Sequence, residues 1–383
     1  MLRALTICAL AVYALSILGA ACASRPLDLN RAEAEAAAAR ASPLARETSV
    51  GMAFDLHHTD QLDRYLAGVD TIASMGFDYV EVLTPAYQTD AKDDQVRIRS
   101  GRNFGPRREQ LITLLRHARS RGMKTMLMPV VLLSEPGGDD WRGKIQPASW
   151  DRWWISYGDV IDYFIDIANE VGVETFSVGS ELLSTERQTE RWRDLIARVR
   201  QRYGGLLTYS TNWDHYHVPQ FWTDLDLMGM NGYWNLTTLA ADPEHPQADE
   251  LRRRWQQIRA QVLAHAGRHG RPILFTEIGY PSLPWGLKEP WNYVDPNKAQ
   301  KNDPRTQALG YSAFLSAWDD ILTRPSRRHG AAEPAPLAGV FFYRWDPYHR
   351  GSPEDTGYGV QGKTTFDLLK SFLNRRRKMN EQE

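Results

Sequence analysis

Cysteine is nearly missing from this 383-residue chain: Cys8 and Cys22 are the only two, and nothing from Ala23 onward carries a thiol. A body without cysteine has no disulfide framework, no Cys-ligated zinc or iron–sulfur site and no thiol nucleophile. An excess of one charge is missing too, with 46 Lys+Arg against 47 Asp+Glu and a net charge of −1. A general nucleic-acid binder needs a basic face to displace counterions, so that class is excluded. Internal repeats, low-complexity tracts and any second regime of composition after residue 50 are also lacking. Length alone suggests two or three domains, although a single barrel also spans about 250 residues or more.

The first 23 residues have the layout of an export signal: Arg3, an uncharged apolar run, then Gly19-Ala20-Ala21. Cys22 after those small residues suits a lipid-anchored protein, although Gly19 stands three before the Cys and Leu18 one residue earlier. Cleavage after Ala23 and an uncleaved anchor are the alternatives, and export is common to the first two. Any membrane attachment is expected through Cys22. Residues 24–49 are rich in Ala and charge and lack aromatics, which predicts a tether.

From residue 50 to 378 the pattern alternates. Short apolar runs at 51–56, 78–85, 124–133, 174–182, 206–212, 226–233, 272–279 and 339–345 predict strands. Segments of helical spacing lie between or after them at 60–75, 107–121, 151–171, 187–203, 248–268, 305–323 and 362–377. The gap at 213–225 has little helical pattern, so one helix is expected to be short or missing. Eight strands alternating with helices predict a single (β/α)8 TIM barrel of the α/β class. The rival, a doubly wound open sheet, calls for a glycine-rich phosphate loop after the first strand. Asp55-Leu-His-His-Thr contains none.

Chemistry in this fold sits where the strands end. Two glutamates stand at the ends of runs four and seven, Glu181 in Val-Gly-Ser-Glu-Leu-Leu and Glu277 in Leu-Phe-Thr-Glu-Ile-Gly. Strands four and seven face each other across an eight-stranded ring, so the two carboxyls can flank one bond. That arrangement suits glycosidic cleavage, one carboxyl protonating the leaving oxygen and the other attacking the anomeric carbon or activating water. Buried salt-bridge partnership is the structural alternative for either glutamate.

Residues 50 to 372 resemble glycoside hydrolase family 113. The matching segments are Trp141-Arg-Gly-Lys-Ile-Gln-Pro147, Trp150-Asp-Arg-Trp153-Trp154-Ile-Ser-Tyr157, Val178-Gly-Ser-Glu181-Leu, Phe275-Thr-Glu277-Ile-Gly-Tyr-Pro-Ser282 and Gly357-Tyr-Gly-Val-Gln-Gly-Lys363. The resemblance implies a retaining mechanism, with Glu181 as acid/base, Glu277 as nucleophile, and β-1,4-mannan or a related β-glycan as substrate. Many members of the wider clan carry Asn immediately before the acid/base to contact the sugar 2-hydroxyl. Ser180 stands there in this chain, so that contact is expected to be weaker or supplied by Asn212 or Asn231.

Other strand-end residues complete the candidate set. Tyr233 is expected to hold the nucleophile's carboxylate; the alternative is a packing tyrosine. Trp345 is expected to floor the sugar ring; the alternative is a core tryptophan capping the barrel. Thirteen tryptophans are many for this length. Trp141, Trp213, Trp234, Trp285 and Trp291 fall in predicted loops and suggest a cleft for several sugars. Trp192, Trp255 and Trp318 lie in predicted helices and are expected to pack. His215-Tyr-His217 has a metal-ligating spacing and His57-His58 follows strand one, but the rival class, a metal-dependent amidohydrolase, wants His-x-His at strand one and further His at strands five and six. His215 is therefore assigned to the substrate side, and neither a metal nor another cofactor is implied. The expectation is a monomeric exported glycosidase, acting endo on a β-linked oligo- or polysaccharide. A non-catalytic glycan-binding lipoprotein and a transglycosylase are the alternatives.

Overall fold

A computed structural model describes residues 48–57, 59–237, 248–295, 298, 300–324, 335–348, 351–352 and 354–382. The expected export signal, the expected tether up to residue 47 and His58 lie outside the described residues. Eight strands run β1 Ser49–Asp55, β2 Tyr79–Gln88, β3 Lys124–Leu133, β4 Thr175–Ser180, β5 Leu206–Thr211, β6 Met228–Asn231, β7 Ile273–Ile278 and β8 Leu337–Trp345. All pair in parallel in that order, and β8 closes on β1, with Ser49 opposite Gly339. The helices are α1 Leu62–Met75, α2 Arg108–Ser120, α3 Trp150–Val171, α4 Thr189–Arg200, α5 Ala248–His269, α6 Pro304–Leu322 and α7 Thr364–Glu381. Between β5 and β6 only a single 3-10 turn, Trp222–Asp224, is formed, which is the short connection the weak helical pattern predicts. The fold is a (β/α)8 barrel.

Local chemistry marks the helix boundaries. Ser149 Oγ accepts from the Arg152 N–H at the start of α3, and Asp303 accepts from the Thr306 N–H at the start of α6, ahead of Pro304. Gly76 and Gly172 end α1 and α3 with φ of 92° and 78°, a left-handed turn that a side chain would oppose.

The strands are short and their side chains alternate, so the apolar residues divide into two layers. Ala53, Met126, Met128, Leu206, Leu274 and Phe341 fill the barrel interior. A larger layer between sheet and helices holds Trp153, Trp192, Trp222, Trp255 and Trp318, all fully buried. Trp192, Trp255 and Trp318 therefore pack as expected. A rigid, close-packed ring of this kind fixes the positions of the strand ends, which carry the site.

Candidate active site

Glu181 follows the last residue of β4 with φ of 52°, the one non-glycine residue with positive φ among the described residues. Holding a glutamate there costs about 1–3 kcal/mol, and such strain collects at functional sites. The Glu181 N–H donates to the Ser210 carbonyl on β5 at 2.8 Å, which locks the turn. Its side chain is then aimed into the mouth, where both carboxylate oxygens are engaged. Asn231 Nδ2 donates to Oε1, and Arg142 Nη2 donates to Oε2. Arg142 comes from the turn after β3, Arg142–Lys144.

Asn231 ends β6 and is the cross-strand neighbour of Glu277. Its amide is fixed on three sides. Oδ1 accepts from the Trp213 N–H at 2.8 Å, while Nδ2 also donates to Asn212 Oδ1 at 2.9 Å. Asn212, Trp213, Asn231 and Glu181 thus form one network. Ser180 is buried, and its hydroxyl finds no protein partner.

Glu277, on β7, is buried and accepts from the Tyr233 hydroxyl at 2.5 Å. Burial and the neighbouring charge of Glu181 push its carboxyl up to about 8, against the opposing pulls of the Tyr233 hydrogen bond and Arg142. Like charges in one buried mouth oppose each other, and here the opposition acts on Glu277. The rings of Tyr233, Tyr343 and Tyr358 stand 5.2–6.4 Å apart around Glu277.

On the β1–β8 side, Asp55 accepts from Tyr343 Oη at 2.6 Å and from Arg344, which also reaches Asp346 at 3.0 Å. Burial opposes ionisation of Asp55, but the Arg344 and His57 charges and the Tyr343 hydrogen bond outweigh it and hold its carboxyl below the usual range. A cavity of about 150 Å³ beside this cluster is lined by Asp55, His57, Arg344 and Tyr348, among others. Below the mouth Glu81 of β2 shares a register level with Ala53 and Met126 of the barrel interior. It is fully buried with no hydrogen-bond partner. Burial, then the charges of Glu277 and Asp55, raise its carboxyl well above the usual range.

Two expected sugar contacts are placed elsewhere. Trp345 is the partner of Phe54 across a register shift that follows the Met52–Phe342 pair. Such a shift re-aims the side chains beyond it. The indole packs on Phe54 and Phe366, and its Nε1 lies 2.5 Å from where a Cβ on Gly68 of α1 would stand. It belongs to the layer outside the barrel, while Tyr343 packs with the interior cluster. Trp234 is likewise buried, against Trp255 and Phe275, and is a core residue rather than an open platform. Trp141 is half-buried, with the Arg142 guanidinium 5.9 Å from its ring centre. Trp213 stacks on the exposed Trp291 at 5.2 Å. His215 Nδ1 lies 3.1 Å from Glu186 Oε2, and Tyr209 and Thr211 donate to the other oxygen of that fully buried glutamate. Among the described residues no cluster of three or more His, Cys, Asp or Glu side chains is arranged to hold a metal.

Sequence reasoning passed over Arg142, Glu186, Tyr343, Arg344 and Glu81 as site residues. Arg142 lay within the Trp141-Arg-Gly-Lys segment, and Glu186 lies five residues past Glu181, so both were visible without being assigned. For Glu81 the signal was a carboxylate in the middle of an apolar strand.

Comparison with known proteins agrees with this geometry. The family model for glycoside hydrolase family 113 matches residues 61–321. No curated protein matches the chain. Among solved structures, a family 113 β-1,4-mannanase aligns at TM-score 0.71 and 24% identity, covering 86% of this chain and 99% of that one. The family 113 β-mannanase of Alicyclobacillus acidocaldarius, in complex with ManMIm, aligns at 0.71 and 23%, covering 88% and 100%. A more distant family 5 mannosidase from Rhizomucor miehei aligns at 0.54 and 12%, covering 90% and 98%. With two glutamates converging at the mouth of a closed barrel and a family model spanning most of that barrel, the chain belongs to glycoside hydrolase family 113 and is a glycoside hydrolase.

Proposed function

We propose that this enzyme is a retaining endo-β-1,4-mannanase. The observation that carries the reading is the contrast between the two mouth carboxyls. Glu277 faces the Tyr233 hydroxyl, which stabilises its anion. Glu181, just past the end of β4 opposite, is aimed into the same mouth with its carboxylate held by Asn231 and Arg142, where a glycosidic oxygen would lie between the two glutamates. In the first step Glu277 Oε attacks the anomeric carbon as the C–O bond breaks. The electron pair stays on the departing oxygen, which takes the Glu181 proton, and a glycosyl ester forms on Glu277. In the second, Glu181 removes a proton from water, whose oxygen attacks the anomeric carbon and returns the ester electron pair to Glu277. The mannan substrate is supported by the solved family 113 β-mannanases that this chain resembles. The half-buried Trp141 and the Trp213–Trp291 stack offer faces for further sugars.

The charged start, apolar middle and small-residue end of residues 1–23 support export, with Cys22 as the point of lipid attachment. Radiolabelled fatty acid should enter the wild type and not Cys22→Ala.

Activity is tested by a reducing-sugar screen over mannan, glucomannan, xylan and mixed-linkage glucan. Mannan or glucomannan should head the series, and Glu277→Gln should abolish turnover while calorimetry still detects oligosaccharide binding. Full activity in that variant, or no activity of the wild type on any mannan, overturns the reading.

A further inference from the structure

Glu181 has a backbone conformation that a glutamate adopts only under constraint, with φ of 52°. Strain of this kind persists where the surroundings over-determine it. Here the constraint comes from β5. The Glu181 N–H donates to the Ser210 carbonyl at 2.8 Å, and the next amide, Leu182 N–H, donates to the Tyr209 hydroxyl at 2.9 Å. The peptide groups on both sides of Glu181 are thus pinned to one strand, one to its backbone and one to a side chain.

A hydroxyl can pin an amide only if it is itself held. Tyr209 has one proton to give, and gives it to Glu186 Oε1 at 3.0 Å. Its ring has no room to turn. A Cβ on Gly179 of β4 would stand 3.1 Å from it, and Trp192 and Phe221 pack on it with ring centres 4.9 and 5.5 Å away. Side chains alternate along β5, so Thr211 points the same way as Tyr209 and donates to the same Glu186 oxygen at 3.0 Å. Asn212, next along, accepts from the Asn231 amide that also donates to Glu181. One carboxylate therefore fixes the backbone beyond Glu181 through Tyr209, and the β5 end beside Asn212 through Thr211.

Glu186 is fully buried, and a buried carboxylate costs stability unless donors surround it. The single 3-10 turn Leu183–Thr185 folds the chain back so that this carboxylate reaches the hydroxyl that holds Leu182. An apolar side chain would fill the space without that cost, but would leave Tyr209 no acceptor.

We infer that Glu186 is a positioning residue for the acid/base: by holding the Tyr209 hydroxyl on the Leu182 amide, it keeps Glu181 in the strained turn that aims its carboxyl into the mouth. Its part in the reaction rests on the retaining-glycosidase reading above. Fully buried, Glu186 reaches no substrate and acts through Tyr209 and the backbone. Without it the Glu181–Leu182 peptide is free to rotate, and the carboxyl drifts from the glycosidic oxygen. A misplacement of about 1 Å is enough to cost ~100-fold in rate.

The test compares three variants of the full chain. Tyr209→Phe removes the hydroxyl, Glu186→Met removes its acceptor, and Glu186→Gln keeps an oxygen for it. In the first two, kcat on mannopentaose should fall by about 10- to 100-fold, with KM within about twofold of wild type. The pre-steady-state burst on a dinitrophenyl mannobioside, whose leaving group needs no acid, should stay within about threefold. Glu186→Gln should recover most of the loss seen in Glu186→Met. Hydrogen exchange supplies a readout that needs no substrate. The Leu182 amide should exchange about tenfold faster in Tyr209→Phe and Glu186→Met, while the amides of β1, opposite in the ring, keep their rates. A general loss of stability would speed both. Equal losses on the two substrates in a folded variant overturn the assignment, as does an unchanged Leu182 rate. If the wild type cleaves no mannoside, the functional reading fails on its own, and the exchange rates still decide whether Glu186 holds the turn.

Discussion

Tyr233 and Glu277 come from neighbouring strand ends and meet at 2.5 Å, a phenol donating to a carboxylate inside a buried mouth. The bond ties the chain just past β6 to Glu277 on β7. It also opposes the burial that pushes Glu277 up to about 8.

Tyr233→Phe removes that opposition. The Glu277 carboxyl should then rise further, so a smaller fraction is ionised at pH 7. The limb of kcat/KM on which the proposed nucleophile ionises should move to higher pH, and the rate at pH 7 should fall by about 10- to 100-fold, the range of a lost charge-assisted hydrogen bond of ~1.5–3 kcal/mol. A pH–rate series for both proteins measures it, and an unchanged limb removes Tyr233 from the nucleophile's support.

The proposed retaining mechanism makes a stereochemical prediction. Proton NMR of fresh hydrolysate should show the β-anomer first, followed by slow mutarotation. Glu181→Ala should lose at least about 10²-fold on oligosaccharide yet keep most of its first step on a dinitrophenyl mannoside, since that leaving group needs no acid. Added azide should then yield the β-glycosyl azide. The α-anomer as first product indicates inversion.

Glu81 should cost stability as pH rises. Its native carboxyl titrates well above the usual range, while in the unfolded chain it ionises near ~4.3. The unfolded state therefore releases a proton that the native state keeps, and stability falls as pH rises above the unfolded value. Glu81→Met should leave stability near pH 4 little changed and raise it increasingly towards pH 8. Urea midpoints at the two pH values report it, and a gain equal at both denies the buried neutral acid.

Trp192 carries a large share of the layer between β4, β5 and α4. It is fully buried, stacks on Phe221 at 5.2 Å, meets Trp154 edge-on at 5.0 Å and donates to the Thr185 carbonyl. Trp192→Ala should cost about 3–5 kcal/mol, through lost transfer energy, a cavity and an unpaired carbonyl. Denaturant midpoints measure the loss, and a cost below about 1 kcal/mol means the layer collapses around the gap.

The barrel was legible in the chain because each strand is a short, largely apolar run with its own punctuation, and each helix keeps its own period. Runs five and six closed on β5 and β6, and the absent pattern between them left a single turn. Glu181 and Glu277 were legible for the same reason: a carboxylate closing an apolar strand has few places to go but the mouth. Tyr233 shares that logic.

Side-chain direction at the strand ends depended on pairing. The alternation that seats Tyr343 inside breaks at the β1–β8 register shift, so Trp345 turned outward to Gly68, and no local pattern announces such a shift. Trp234 looked like a loop residue because its burial is made by Trp255 and Phe275, residues 21 and 41 positions away. By itself, then, the order of residues determined the (β/α)8 architecture and the two glutamates, since hydrophobic period and strand-end position are local properties. Only the closed barrel decided that Arg142 would lie on Glu181, Arg344 on Asp55 and Glu81 beneath them both. Those partners come from different strands, and a charge's protonation depends on which other charges the fold brings within a few ångströms.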